Sequence, residues 1–170
     1  LAEAQQTAYL EQAARVIANA RPTTAARMRL VTEGSLAAAK KAFAAGQDTS
    51  AAIVEYAVAA NDVRYAKVGR MAEYLVDMIP AGGTVMTQCF GETIVGKMLA
   101  VATERGKSFR LFCPETRPYF QGARLTATVA HEMGFDVTVI TDNMPAYVMQ
   151  REHVDVFTSA ADAICLDGHV

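Results

Sequence analysis

The chain has 170 residues, of which 52% are hydrophobic and 20% are charged, a composition typical of a globular protein and not of a disordered one. A formal net charge of −2, from 16 basic and 18 acidic residues, argues against nucleic acid or an anionic membrane as the main partner. No apolar run approaches the roughly 20 residues that span a bilayer, and no basic segment followed by an apolar one is visible at the start of the sequence, so we expect no secretory signal. We therefore expect a soluble, cytoplasmic protein.

The first 80 residues are rich in alanine and poor in glycine and proline, which predicts a helical N-terminal domain over residues 1–80. Helices are expected over residues 1–20, from the threonines after Pro22 to about residue 45, and from about residue 48 to Pro80. In the third helix, an i, i+3, i+4 spacing predicts one buried face. Its members are Val68, Met71, Leu75 and Ile79.

After Ala81-Gly82-Gly83, short apolar segments alternate with helical ones. Strands are predicted over residues 84–87, 109–113, 136–140 and 154–157, and helices over 91–105, 125–133 and 146–150. This alternation predicts an α/β fold, in which the helical domain is followed by a Rossmann-like domain over residues 81–170 with a parallel sheet and helices on both faces. We expect the first domain to be incomplete at its N-terminus and the second at its C-terminus.

Polar and reactive side chains follow each predicted strand, at the edge where open parallel sheets bind ligands. Cys89 follows the first strand, Gln121 the second, Asp142 the third and Asp162 the fourth. From the residues alone, Cys89 is also consistent with a small buried hydrophobic residue, and Asp162 with a cap or turn residue. It is their joint placement at one edge of the sheet that favours a functional site.

Several common chemistries do not fit these residues. Gly91 and Gly96 lack the G-x-G-x-x-G spacing of a dinucleotide site, and no Walker A loop is present. His131-Glu132 lacks the second histidine of a zinc protease. A Cys–His nucleophile is disfavoured because only His153 lies near a strand end. The three cysteines are an odd number without a C-x-x-C pair, which fits a reducing compartment. We expect no cofactor and no metal.

Five segments resemble the S-methyl-5-thioribose-1-phosphate isomerase family, in the superfamily shared with ribose-1,5-bisphosphate isomerases and the regulatory subunits of the eukaryotic initiation-factor-two exchange factor. The most specific is the run from Glu115 to Ala127, which contains Arg117-Pro118-Tyr119-Phe120-Gln121-Gly122-Ala123-Arg124. The others are Arg21-Pro22-Thr23, Thr87-Gln88-Cys89, Ile140-Thr141-Asp142-Asn143-Met144 and Ser159-Ala160-Ala161-Asp162-Ala163-Ile164.

The resemblance implies an aldose–ketose isomerase that acts on a sugar carrying phosphate on its anomeric carbon. It implies that Cys89 and Asp162 are the catalytic pair, with Asp162 as proton donor, and that Arg21 and Gln121 hold the substrate. The expected reaction converts S-methyl-5-thioribose 1-phosphate to S-methyl-5-thioribulose 1-phosphate in methionine salvage. Alternatives are isomerisation of ribose 1,5-bisphosphate or another 1-phosphorylated pentose, and a non-catalytic regulatory subunit.

We also expect a homodimer that forms through the Rossmann-like domain. Family members are dimers, and the helices near the ligand-binding edge carry more apolar side chains than one thin sheet can bury. These side chains are Leu125, Val129, Met133, Tyr147 and Met149. A C-terminal segment that covers the same surface is the alternative.

Overall fold

The computed structural model describes residues 3–21, 25–161 and 164–169. These residues form two compact units: those up to Arg64 together with residues 164–169, and those from Tyr65 to Ala161. The predicted domain boundary after residue 80 stays a prediction, because compact units do not test where an independently folding domain ends.

The first unit is helical. It contains α1 (Glu3–Ala18), α2 (Ala25–Ala44) and the first half of α3 (Thr49–Met78). Gly46 ends α2 with φ of 65°, and the N–H of Gln47 donates to the carbonyl of Ala42 at 2.8 Å, the bond of a glycine-terminated helix. Asp48 then caps α3, because its carboxylate accepts the N–H of Ser50 at 2.8 Å. The predicted break between the two helices is confirmed.

The second unit alternates strands and helices. After the end of α3 come β1 (Thr84–Thr87), α4 (Glu92–Glu104), β2 (Arg110–Pro114), a π-turn (Gly122–Thr126) that continues into α5 (Ala127–Glu132), β3 (Asp136–Ile140), α6 (Pro145–Arg151) and β4 (Val156–Thr158). The four strands form a parallel sheet in the order β3-β2-β1-β4. The predicted α/β class and the parallel sheet are confirmed.

Helices cover both faces of this sheet, as predicted. Successive residues of a strand point to opposite faces, so Val85 and Leu111 pack against α3, α4 and α5, whereas Met86 and Phe112 pack with Val148 of α6. The first cluster is the larger core. The two central strands, β1 and β2, bury both faces, so their apolar runs fill the two cores, whereas Val139 of β3 and Phe157 of β4 are 49% and 52% exposed at the edges of the sheet.

The buried face of α3 differs from the prediction at one position. Val68 is buried, as is Ile79 one residue after the helix ends, and Leu75 is partly buried, but the Met71 side chain is 51% exposed and Ala72 is fully buried in its place. An α-helix has 3.6 residues per turn, so residues i+3 and i+4 both lie close to the face on which residue i lies. Counted from Val68, the spacing therefore permits either Met71 or Ala72 on the buried face. The small side chain faces the core here.

Several element boundaries also differ from the predictions, by one to three residues. Strand β2 begins and ends one residue later than predicted, and β4 covers residues 156–158 and not 154–157. The helix after β2 begins with the π-turn at Gly122, three residues before the predicted start. Val129 and Met133, predicted to add to the exposed apolar surface, pack against the larger core.

None of the described helices is long and apolar enough to cross a membrane.

Candidate active site

The carboxyl ends of β1 and β4 lie side by side at the point where the strand order reverses. From β1 the chain adds β2 and β3 on one side, then returns to add β4 on the other, with Thr87 opposite Thr158. Ligands of open α/β sheets bind in the crevice at such a reversal. Cys89 lies two residues after the end of β1. Asp162 follows β4 by four positions, but it lies outside the described residues.

Cys89 is held in an unusual backbone conformation. Its φ is 57°, in the left-handed region that costs an ordinary residue roughly 1–2 kcal/mol. Its carbonyl accepts a hydrogen bond of 2.7 Å from the hydroxyl of Thr126, and its side chain is half-buried. The other described non-glycine residues with positive φ are Thr116 and Phe120, which both lie in the loop after β2. Strained residues thus cluster at this edge of the sheet, a pattern typical of functional sites.

The loop after β2 is fixed by a carboxylate at the end of β3. Asp142 accepts the N–H groups of Thr116 and Arg117, each at 2.7 Å, one on each carboxylate oxygen. The N–H of Glu115 donates to the carbonyl of Ile140 at 2.8 Å, so the strand pairing continues one residue into the loop. These bonds define the backbone path that leads to Gln121.

Gln121 stands where this loop enters the π-turn. Its side-chain oxygen Oε1 is buried and has no hydrogen-bond partner among the described residues. A buried polar atom without a partner is rare in native proteins and indicates a missing donor. Directly after it, Gly122 packs against β2: a Cβ at this position would lie 1.8 Å from the carbonyl oxygen of Pro114. Only glycine allows this approach, which places Gln121 at the sheet edge.

Helix α4 begins three residues after Cys89. The helix begins at Glu92, and Gly91 at its N-cap position supplies no side-chain hydrogen bond. The first N–H groups of a helix have no partner within the helix, and they attract anions such as phosphate. The short Phe90-Gly91 link therefore puts an anion-attracting helix end close in sequence to the Cys89 thiol.

The remaining residues with reactive side chains lie elsewhere. Arg21 is exposed and belongs to the first unit, after α1. Cys113 is fully buried in β2, and burial raises the pKa of its thiol to about 11, so it stays protonated and unreactive at neutral pH. His153 lies before β4, at the opposite end of the strand, and pairs with Asp155 at 3.0 Å. Of these, only Arg21 stays a candidate.

A cavity of about 340 Å³ between α3 and α4 does not coincide with this edge. It is lined by Tyr65, Val68, Thr93, Gly96, Lys97 and Ala100, and neither Cys89 nor Gln121 lines it. Across the described ranges, no cluster of three or more His, Cys, Asp or Glu side chains could hold a metal ion.

Sequence reasoning assigned no role to two residues that shape the site. Thr126 holds the carbonyl of Cys89, and Asp142 holds the loop that leads to Gln121. Asp142 was visible as a polar residue after a strand, but nothing in the sequence indicates that its partners are backbone N–H groups. Nothing in the sequence indicated a role for Thr126, because its hydrogen-bond partner lies 37 residues away along the chain.

The match to a family model decides what kind of chain this is: the model of the Initiation factor 2 subunit family matches residues 2–170. The chain belongs to this family. Three proteins to which it is similar follow. The 5-deoxyribose 1-phosphate isomerase of Moorella thermoacetica is 34% identical over 96% of this chain and 48% of its own length. The methylthioribose-1-phosphate isomerase of Thermotoga neapolitana is 42% identical over 54% of this chain and 29% of its own length.

The third is the crystal structure of the translation initiation factor eIF-2B subunit delta from A. fulgidus. It superposes with a TM-score of 0.70 and 31% identity, over 96% of this chain and 50% of that chain. This chain spans half, or less, of the length of each of these three proteins. The resemblance of its motifs to the isomerase family, which rested on five short segments, is confirmed.

Proposed function

We propose that the chain is part of an aldose–ketose isomerase for a pentose that carries phosphate on C1. The observation that supports this most directly is the half-buried Cys89, held with positive φ at the reversal point of the sheet, in a chain whose relatives include sugar-phosphate isomerases. The catalytic pair Cys89 and Asp162 is part of the proposal.

The chemistry explains why these residue types are needed. Phosphate on C1 prevents the ring from opening by simple loss of a hydroxyl proton, so the bond between C1 and the ring oxygen breaks only if that oxygen receives a proton. Asp162 is proposed to supply it, since a carboxyl group in a closed pocket can keep its proton near neutral pH. Cleavage leaves C1 cationic; the C2 hydrogen then passes to C1 as a hydride, and the C2 hydroxyl gives its proton back to the Asp162 carboxylate, so that C2 becomes a ketone. Cys89 is proposed to stabilise this transition state or, where the hydrogen moves as a proton, to take it from C2 as base and return it to C1 as acid. No external oxidant or reductant is needed.

Substrate binding is proposed to use the groups already described. The unpartnered Oε1 of Gln121 is suited to accept a hydrogen bond from a sugar hydroxyl. The backbone donors at the start of α4 are suited to the phosphate. Arg21, on the resemblance alone, adds a guanidinium that can hold phosphate with two parallel hydrogen bonds.

The leading substrate is S-methyl-5-thioribose 1-phosphate, which places the enzyme in methionine salvage. The second candidate is 5-deoxyribose 1-phosphate, because the relative with that name matches 96% of this chain. Both sugars lack a charged group on C5, in contrast to ribose 1,5-bisphosphate. We propose a cytoplasmic location, as for other metabolic isomerases.

The test is turnover by the full-length protein of all three sugar phosphates, with NMR identification of the product. We expect a 2-keto sugar 1-phosphate from at least one of them, and loss of turnover in the Cys89→Ala variant. A folded protein that converts none of the three would refute the isomerase. The result would then favour the non-catalytic regulatory role, which the likeness to the A. fulgidus eIF-2B subunit delta makes the second candidate function.

We further propose that the protein is a homodimer. Leu125, Tyr147 and Met149 are 43%, 56% and 40% exposed, so apolar side chains remain exposed on both the π-turn and α6. Burying such side chains against a second copy of the chain is a common way for a homo-oligomer to form, and two-fold dimers are the commonest oligomers. Light scattering of the full-length protein tests this, and a monomer at micromolar concentration would refute it.

A further inference from the structure

Thr126 makes a hydrogen bond that differs from those of two other helical threonines, Thr32 and Thr103. The hydroxyl groups of Thr32 and Thr103 donate to the carbonyl four residues earlier in their own helices, at 2.8 and 2.9 Å. This is the ordinary local bond of a threonine in a helix. Thr126 donates instead to the carbonyl of Cys89, at 2.7 Å and 37 residues away.

The π-turn is the local structure that carries this threonine. The N–H of Ala127 donates to the carbonyl of Gly122, five residues earlier, where an α-helix would use the carbonyl four residues earlier. One extra residue is therefore accommodated between Gln121 and α5. Such turns inside helices occur frequently at functional sites. Thr126, at the last position of the turn, is fully buried.

The acceptor of this bond is strained. Cys89 has φ of 57°, a conformation that persists only when surrounding contacts impose it. Without the hydroxyl of Thr126, the carbonyl loses a partner and the residue is free to relax to negative φ. That relaxation rotates the Cα–Cβ bond and moves the thiol.

We propose that Thr126 is a positioning residue for Cys89: its hydroxyl holds the Cys89 carbonyl and thereby sets where the thiol stands at the sheet edge. This rests on the proposed function, in which Cys89 is catalytic. Thr126 itself does not touch the substrate. The bond also joins the two segments that carry site residues, because the turn that ends at Thr126 begins directly after Gln121.

The experiment compares four variants of the full-length protein. Thr126→Val and Thr126→Ala both remove the hydroxyl, the first with a methyl group in its place and the second with open space. Thr126→Ser keeps the hydroxyl. Thr103→Val is the matched control, since it removes a threonine hydroxyl bonded only within α4. Circular dichroism verifies that each variant folds.

The first readout is the rate at which iodoacetamide alkylates Cys89, followed by mass spectrometry of the peptide that contains it. We expect a several-fold faster rate in Thr126→Val and Thr126→Ala, because the relaxed loop exposes the half-buried thiol. Thr126→Ser and Thr103→Val should match the wild type. Rates in the two hydroxyl-free variants that equal the wild-type rate would overturn the proposal. Loss of folding in both would overturn it too, since the hydroxyl would then serve the fold.

The second readout is the kinetics of the sugar-phosphate isomerisation. We expect kcat to fall about 10²-fold in Thr126→Val with little change in KM, the size of effect that a 1 Å misplacement of a reacting group produces. An equal fall in Thr126→Ser would overturn the proposal, because that variant keeps the bond. Alkylation needs no substrate, so it judges the positioning role even where no sugar phosphate is turned over. Failure of the positioning role and failure of the proposed isomerase function are thereby distinguishable.

Discussion

Replacing Gly122 with alanine tests whether the close approach of the π-turn to β2 sets the site. The added Cβ would meet the carbonyl oxygen of Pro114 at 1.8 Å and Thr116 Oγ1 at 2.9 Å, whereas real Cβ atoms essentially never come within 3.0 Å of another atom. The turn must therefore move by roughly 1.2 Å. Pro114 cannot yield instead, because it is fully buried and pairs with Ile140 in the sheet.

The expected magnitude follows from two opposing effects. Overpacking of a tightly packed site costs about 3 kcal/mol at the upper end of its usual range. Alanine regains about 1 kcal/mol over glycine in a helical segment. We therefore expect Gly122→Ala to lower the free energy of unfolding by about 2 kcal/mol. Because Gln121 precedes this residue directly, the same variant should also weaken substrate binding.

Denaturant unfolding followed by circular dichroism measures the change, with Gly96→Ala as the matched control. Gly96 lies inside α4, and a Cβ there would meet nothing within 4 Å, so alanine should stabilise the protein by about 0.5–1 kcal/mol. The two substitutions are chemically identical and should have opposite signs. A Gly122→Ala variant as stable as the wild type would refute the close packing and the placement of Gln121 that depends on it.

Three further predictions concern the acidic and thiol groups. Cys89→Gly should be more stable than Cys89→Ala by about 1 kcal/mol, because glycine tolerates positive φ; equal unfolding midpoints would contradict the strained backbone. Asp162→Asn should lower kcat by about 10²–10⁴-fold with an unchanged circular dichroism spectrum, and near-normal turnover would remove Asp162 from the mechanism. Burial raises the pKa of Cys113 from 9.0 to about 11, so its buried neutral thiol contributes stability that is complete below pH 9 and is lost as the pH rises towards 11. The free energy of unfolding, measured at a series of pH values, should therefore fall by roughly 2 kcal/mol more between pH 9 and pH 11 in the wild type than in Cys113→Ala. Parallel curves for the two proteins would contradict the raised pKa of Cys113.

Much of the fold was readable from the sequence because local rules govern it. The strands at residues 84–87 and 136–140 match the structure, since apolar, β-branched runs between polar segments have few other solutions. Gly46 and Asp48 marked a helix end and a helix start through their own backbone and side-chain preferences. The alternation of strands and helices determined the parallel sheet, because parallel neighbours need a crossover connection.

Contacts between distant residues were decided only by the tertiary structure. The i, i+3 spacing allowed Met71 as well as Ala72, and the space against the sheet selected the smaller side chain. The π-turn before α5 was missed because helix propensity does not distinguish a four-residue from a five-residue hydrogen-bond step. The sequence by itself determined which residue types follow each strand. The positions of Cys89 and of the loop before Gln121 depend on the hydroxyl of Thr126 and the carboxylate of Asp142. The partners of these two groups lie 37 and about 25 residues away along the chain, and only the folded sheet brings them into contact.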